Sequence, residues 1–138
     1  MKEYNYFSFF KVNIGVLLKN KINNYDFLIV GAGLIGSLAA LSLLRKNYKV
    51  IVLEKNKSIS NDNRTLAVNA NSRDFLIELG LWSKISKNCE SIDKIIIKDY
   101  INKDNVIFNY PNESMGSVIF NRDLLKIARK DYRRISAF

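Results

Sequence analysis

Residues 25–55 read YDFLIVGAGLIGSLAALSLLRKNYKVIVLEK. Phe27 to Val30 is a short, unbroken apolar run stopped by Gly31, the pattern of a strand buried on both faces of a parallel sheet. Leu34, Leu38, Leu41 and Leu44 recur at helical spacing, and Arg45 and Lys46 close the segment with the charge that a helix C-terminus favours. The spacing predicts a helix over Leu34 to Lys46 and a second buried strand over Lys49 to Leu53. Strand, glycine turn, helix and strand make a βαβ unit with a right-handed crossover, so the expected class is α/β with a Rossmann-like parallel sheet.

The turn, Gly31-Ala32-Gly33-Leu34-Ile35-Gly36, has the form G-x-G-x-x-G. Three glycines recur by chance, so the string alone says little; its place between a strand and a helix makes it a dinucleotide fingerprint. Gly31 permits the tight turn, Gly33 lets a pyrophosphate approach the backbone, and Gly36, with the small Ala40 after it, lets the helix lie close on the sheet. The unpaired N–H groups of the helix start then face the phosphates. Glu54, 18 residues past Gly36 at the end of the second strand, suits a ribose diol, and its charge disfavours a 2′-phosphate. NAD and FAD share this fingerprint, and a glycine-rich turn that binds nothing is the alternative.

Residues 1–23 lack a helical or strand period and read as an extension outside the fold, which leaves residues 24–138 as one partial domain. Val12 to Leu18 falls short of the about 20 apolar residues a bilayer span needs, and no signal-peptide cleavage pattern follows it. Beyond a polar loop over residues 56–63, NSRDFLIELGLW predicts a helix capped by Asn71 or Ser72, with Phe75, Leu76 and Leu79 buried and Gly80 as the stop. Strands are expected over Asp93 to Asp99, Val106 to Asn109 and Val118 to Phe120, with a turn over Asn102 to Asn105 and a last helix from Asn121 through Arg129.

The chain has 138 residues, one cysteine, no histidine and a formal charge of +9. A lone Cys89 excludes a disulfide framework, and without histidine a zinc site or a Ser-His-Asp set has no ligands or base. The positive charge is scattered among Asn and Ile rather than clustered, which argues against nucleic acid and leaves weak attraction to anionic lipid head groups.

Four stretches together resemble the FAD-dependent aromatic-ring hydroxylases, and within them the ubiquinone-biosynthesis branch of 2-polyprenylphenol hydroxylases: YDFLIVGAGLIGSLAALSLL, VIVLEK, DNRTLAVNANSRDFLIELGLW and GSVIFNRDLL. SRDFLIELGLW is the most branch-specific of them, whereas the order around Asp62, Arg64 and Ala67 departs slightly from the family's. The resemblance implies that Gly31, Ala32, Gly33, Leu34, Ile35 and Gly36 hold the FAD pyrophosphate, that Glu54 and Lys55 meet the adenosine side, and that Arg64 and Arg122, with Asn121, lie near the pyrophosphate and ribityl chain. Arg64 as a solvated loop residue and Asn121 as a plain helix cap are the bland alternatives, and Trp82 is expected to pack a helix end. The implied reaction is flavin-dependent monooxygenation of a phenolic ring with NAD(P)H as electron donor, chemistry that the cofactor carries and the protein positions.

The resemblance runs from about Asn24 to Ala128, covers only the opening part of such enzymes, and stops before RKDYRRISAF. The family's later Asp-Gly and Gly-Asp motifs and its substrate domain are missing, so the expectation is a truncated FAD-binding part, inactive alone, with exposed apolar edges. A complementary C-terminal chain could complete it. A small FAD- or NAD-binding module without turnover, and a degraded gene product, are the alternatives. The expected location is the cytoplasm, peripheral to the inner membrane at most, where a polyprenylated substrate resides.

Overall fold

The computed structural model describes residues 25–56, 58–59, 61, 63–101, 104–111 and 113–135. The expected extension over residues 1–23, together with Asp62 and Asn102, lies outside them. Strand β1 (Phe27–Val30) leads into helix α1 (Leu34–Arg45) and strand β2 (Val50–Leu53). Next come β3 (Thr65–Val68), α2 (Ala70–Glu78), α3 (Trp82–Ile85) with a 3-10 turn over Ser86–Asn88, β4 (Glu90–Ile92), β5 (Lys94–Lys98), β6 (Asn105–Asn109), β7 (Gly116–Phe120) and α4 (Asn121–Ile135).

β1 and β2 pair in parallel, Phe27 opposite Val50 and Val30 opposite Leu53, as the βαβ reading requires. The expectation of strands buried on both faces fails for β1: Phe27, Leu28 and Val30 are 41%, 44% and 65% exposed. Among the described residues this sheet has only two strands, so β1 has one covered neighbour instead of two. A second, antiparallel sheet runs in the order β3-β7-β4, and β5 pairs with β6 as a separate hairpin whose residues are exposed throughout. The hairpin leaves Ile95, Ile97, Ile107 and Phe108 in solvent.

The core is made by helices laid against these strands. Ala40 and Leu41 of α1, Leu76 of α2 and Leu79 just past its end, Leu81, Ile85, Ile119 of β7, and Leu124, Ala128 and Tyr132 of α4 form one buried cluster. Each large apolar side chain in it contributes about 1.5–3 kcal/mol by leaving water. Trp82 is partly buried against this cluster, as expected of a residue at a helix end.

Two helix boundaries differ from expectation. Helix α2 is capped by Asn69, whose Oδ1 accepts the Ser72 N–H at 2.9 Å, rather than by Asn71 or Ser72; both of those fall inside the helix, and Phe75 is turned to solvent. Helix α4 continues past Arg129 to Ile135. The RKDYRR stretch is helical because its Tyr132 reaches the core and its Asp131 pairs with Lys84 of α3.

Candidate functional site

The chain leaves β1 at Gly31 with φ +97, a conformation a Cβ makes costly. The Gly31 N–H donates to Leu53 O at 2.7 Å, so the parallel ladder carries on to the base of the turn. The next residue is tied on both sides. The Ala32 N–H donates to Glu54 Oε2 at 2.6 Å, and its carbonyl accepts Ser37 Oγ at 3.1 Å and Arg129 Nε at 2.8 Å.

Gly33 caps α1 with no side-chain bond to the helix, and the first turn holds no acidic residue. The N–H groups at this end are therefore left to an anion, at the positive end of the helix dipole. A Cβ added at Gly31 or Gly33 would meet nothing within 4 Å, whereas one at Gly36 would lie 1.9 Å from Gly31 O. Gly36 is therefore a packing requirement and Gly33 borders open space. That open, donor-lined cradle fits a pyrophosphate. Leu34 packs on the core behind it, and Ile35 is 79% exposed on its rim.

Glu54 sits just past β2 with Oε1 accepting the Asn56 N–H at 2.7 Å and Oε2 accepting Ala32 N–H. Its pKa is held below the ordinary carboxylate value, first by the Asn56 N–H, then, against an opposing effect of burial, by the Ala32 N–H and the Arg129 guanidinium. Because the folded value is the lower one, the carboxylate stabilises the fold fully above the unfolded pKa, about 4.3. This contribution is lost as the pH falls through the folded value. Glu54→Gln is expected to flatten that acid limb: circular dichroism from pH 6 to pH 2 should show wild type losing more stability than the variant, and parallel curves would contradict the assignment.

Lys55 follows in an exposed bend. Beside Glu54, Leu44, Val50, Val52, Asn56, Tyr132 and Arg133 help line an open pocket of about 340 Å³. Arg64 and Arg122 lie elsewhere, beside the paired ends of β3 and β7 in the antiparallel sheet. Thr65 pairs with Phe120, and Asn121 N–H donates to Arg64 O at 2.9 Å. Arg122 donates to Asn63 Oδ1 at 2.6 Å and lies 4.6 Å over the Phe120 ring. The structure thus divides the expected residues into a glycine-turn group with Glu54 and an arginine group at the sheet end.

Helix α4 joins the two groups. Arg122 and Arg129 are seven residues apart, two turns along one helix face and about 10 Å in rise. Arg129 touches both Ala32 and Glu54 and escaped the sequence reading, which ended the family resemblance at Ala128. The available signal was the spacing of Leu125, Ala128 and Tyr132, which places Arg129 inside a buried stripe rather than on a solvated face.

Among the described residues no helix is long and apolar enough to cross a membrane. No curated protein matches this chain. Its fold matches p-nitrophenol 4-monooxygenase PnpA from Pseudomonas putida DLL-E4, at TM-score 0.66 and 19% identity over 79% of this chain and 29% of that one. It also matches 2-methyl-3-hydroxypyridine-5-carboxylic acid oxygenase in its tetrameric form (TM-score 0.65, 15% identity, 79% of this chain and 29% of that one). A third match is the flavin-dependent monooxygenase PieE, in complex with FAD and substrate (TM-score 0.65, 14% identity, 80% of this chain and 22% of that one). The chain therefore spans less than a third of the length of these structures. The family described as FAD binding domain matches residues 24–118, well over half of the chain, and the chain belongs to that family.

Proposed function

We propose that this chain is the FAD-binding part of a flavin-dependent monooxygenase that hydroxylates a phenolic ring. In this reading residues 24–138 form the FAD-binding part and residues 1–23 are an extension. The observation that carries it is the pairing of an open helix N-terminus over Gly33 with a carboxylate, Glu54, bonded to the same turn through Ala32. One end offers N–H donors to a pyrophosphate and the other a negatively charged acceptor to a ribose diol. The family match supports FAD over NAD.

Gly31 to Gly36 would hold the pyrophosphate, Glu54 and Lys55 the adenosine side, and Arg64 and Arg122 the phosphate and ribityl region. A guanidinium suits that last role because it stays charged and presents a planar fork of donors. Bound FAD supplies the redox and oxygen-activating chemistry, with NAD(P)H as donor. The protein's part is to orient it and to exclude water.

The SRDFLIELGLW stretch favours a polyprenylated phenol, as in ubiquinone biosynthesis, and hence a location at most peripheral to the inner membrane. The apolar residues that β1 and the β5–β6 hairpin leave exposed favour a second reading in part: a chain that binds FAD without turning over until a complementary chain covers them. Both readings are tested by titrating the purified chain with FAD, following flavin fluorescence, with NAD as competitor. Saturable binding that NAD does not displace is expected, with no NAD(P)H-dependent hydroxylation by the chain alone. Displacement by NAD would refute the FAD reading, and turnover by the isolated chain would refute the inactivity.

A further inference from the structure

We propose that Arg129 is a positioning residue that sets both ends of the nucleotide cradle, aiming the Ala32–Gly33 peptide and the Glu54 carboxylate at the ligand. The inference rests on the FAD reading above and adds a residue from the far end of the chain. Arg129 is 6% exposed. A guanidinium this deep costs free energy unless its donors are matched, and here its contacts are with the cradle: Nε donates to Ala32 O at 2.8 Å and Nη2 lies 3.5 Å from Glu54 Oε2. Those partners are 97 and 75 residues away in sequence.

The geometry gives each contact a consequence. A trans peptide is planar, with its C=O and the following N–H on opposite sides. Drawing the Ala32 carbonyl inward to Arg129 and Ser37 therefore turns the Gly33 N–H away from the core. A Cβ at Gly33 meets nothing within 4 Å, so the turn has room beside it for a phosphate oxygen that needs a donor. On the carboxylate, Arg129 and the Ala32 N–H both engage Oε2 while Oε1 receives the Asn56 N–H, and the Lys55 N–H adds a further backbone contact. These contacts together hold the carboxylate in one orientation toward a hydroxyl. With Arg129 buried and Glu54 at the surface, the pair is a weak source of net stability, and its assigned role is to fix geometry.

The test uses the 138-residue chain as wild type, Arg129→Met, Arg129→Lys, Glu54→Gln and the Met/Gln double variant. FAD affinity is read by flavin fluorescence, and the Glu54 carboxyl is titrated by carbon NMR without ligand. Arg129→Met is expected to weaken FAD about ten- to a hundredfold, the scale of one hydrogen-bonded charge, with Arg129→Lys recovering part of the loss. In the Glu54→Gln background the same change should cost less, since the two residues act through one contact. In the ligand-free titration Arg129→Met should raise the Glu54 midpoint. The other charged residues beside Glu54, in sequence or in the pocket lining, are Lys55 and Arg133.

Wild-type affinity in Arg129→Met, or in Arg129→Lys should the Met variant not fold, overturns the proposal. So does full additivity with Glu54→Gln, or an unmoved Glu54 midpoint. Wild type that binds no FAD overturns the FAD reading itself and the purpose assigned to Arg129, and this outcome is recognisable because the ligand-free titration reports the Arg129–Glu54 contact independently.

Discussion

Gly36→Ala is expected to lose the folded cradle, with a destabilisation of about 3 kcal/mol or more and FAD binding lost along with it. Intrinsic propensity argues the other way, because alanine in a helix interior is favoured over glycine by about 1 kcal/mol. The contact decides the sign. An added Cβ would sit 1.9 Å from Gly31 O and 3.1 Å from Gly31 C, and both are backbone atoms of the turn, with no flexible side chain to swing aside. Relief requires α1 to move off β1, and α1 carries Ala40 and Leu41 into the core. Urea or thermal unfolding followed by circular dichroism measures this directly. A variant at least as stable as wild type would show that α1 does not lie against β1 as closely as described.

The β1-α1-β2 unit was legible because three independent signals coincide over few residues: an apolar run of strand length, glycines where the chain must turn, and leucines at helical spacing. Elsewhere the signals were shorter or in competition. Thr65 to Val68 is only four residues, two of them exposed, and its strand character comes from pairing with the distant β7, Thr65 opposite Phe120 and Val68 opposite Ser117. The cap of α2 was ambiguous because Asn69, Asn71 and Ser72 are all good caps; the choice fell to the residue whose side chain reaches an N–H three positions on.

The end of α4 was misjudged for a related reason. Its composition reads as solvated, yet Arg129, Asp131 and Tyr132 are buried because the helix lies along α1. Burial there is decided by what the helix packs on. The glycine turn and Glu54 are therefore legible in the local sequence, whereas the spacing around Arg129 marks its burial but not its partners, which lie 97 and 75 residues away.

Gly33→Ala separates the ligand from the fold. Gly33 has φ −63, which any residue adopts, and a Cβ there meets nothing within 4 Å. Glycine ranks above alanine as a helix cap, so the variant should lose no more than about 1 kcal/mol of stability. Its effect on FAD should be far larger. The methyl group fills the space through which a pyrophosphate must reach the α1 N–H groups. An overlap of that kind, about 1–3 kcal/mol, corresponds to roughly a hundredfold in affinity at its upper end. The contrast with Gly36→Ala is the informative part: two glycines of one fingerprint, three residues apart, one answering to the helix-strand contact and the other to the ligand. Flavin fluorescence on a variant whose unfolding midpoint matches wild type reads the second role alone. Undiminished FAD affinity in that folded protein would mean that the pyrophosphate does not sit over Gly33, and the nucleotide would have to be placed elsewhere on the chain.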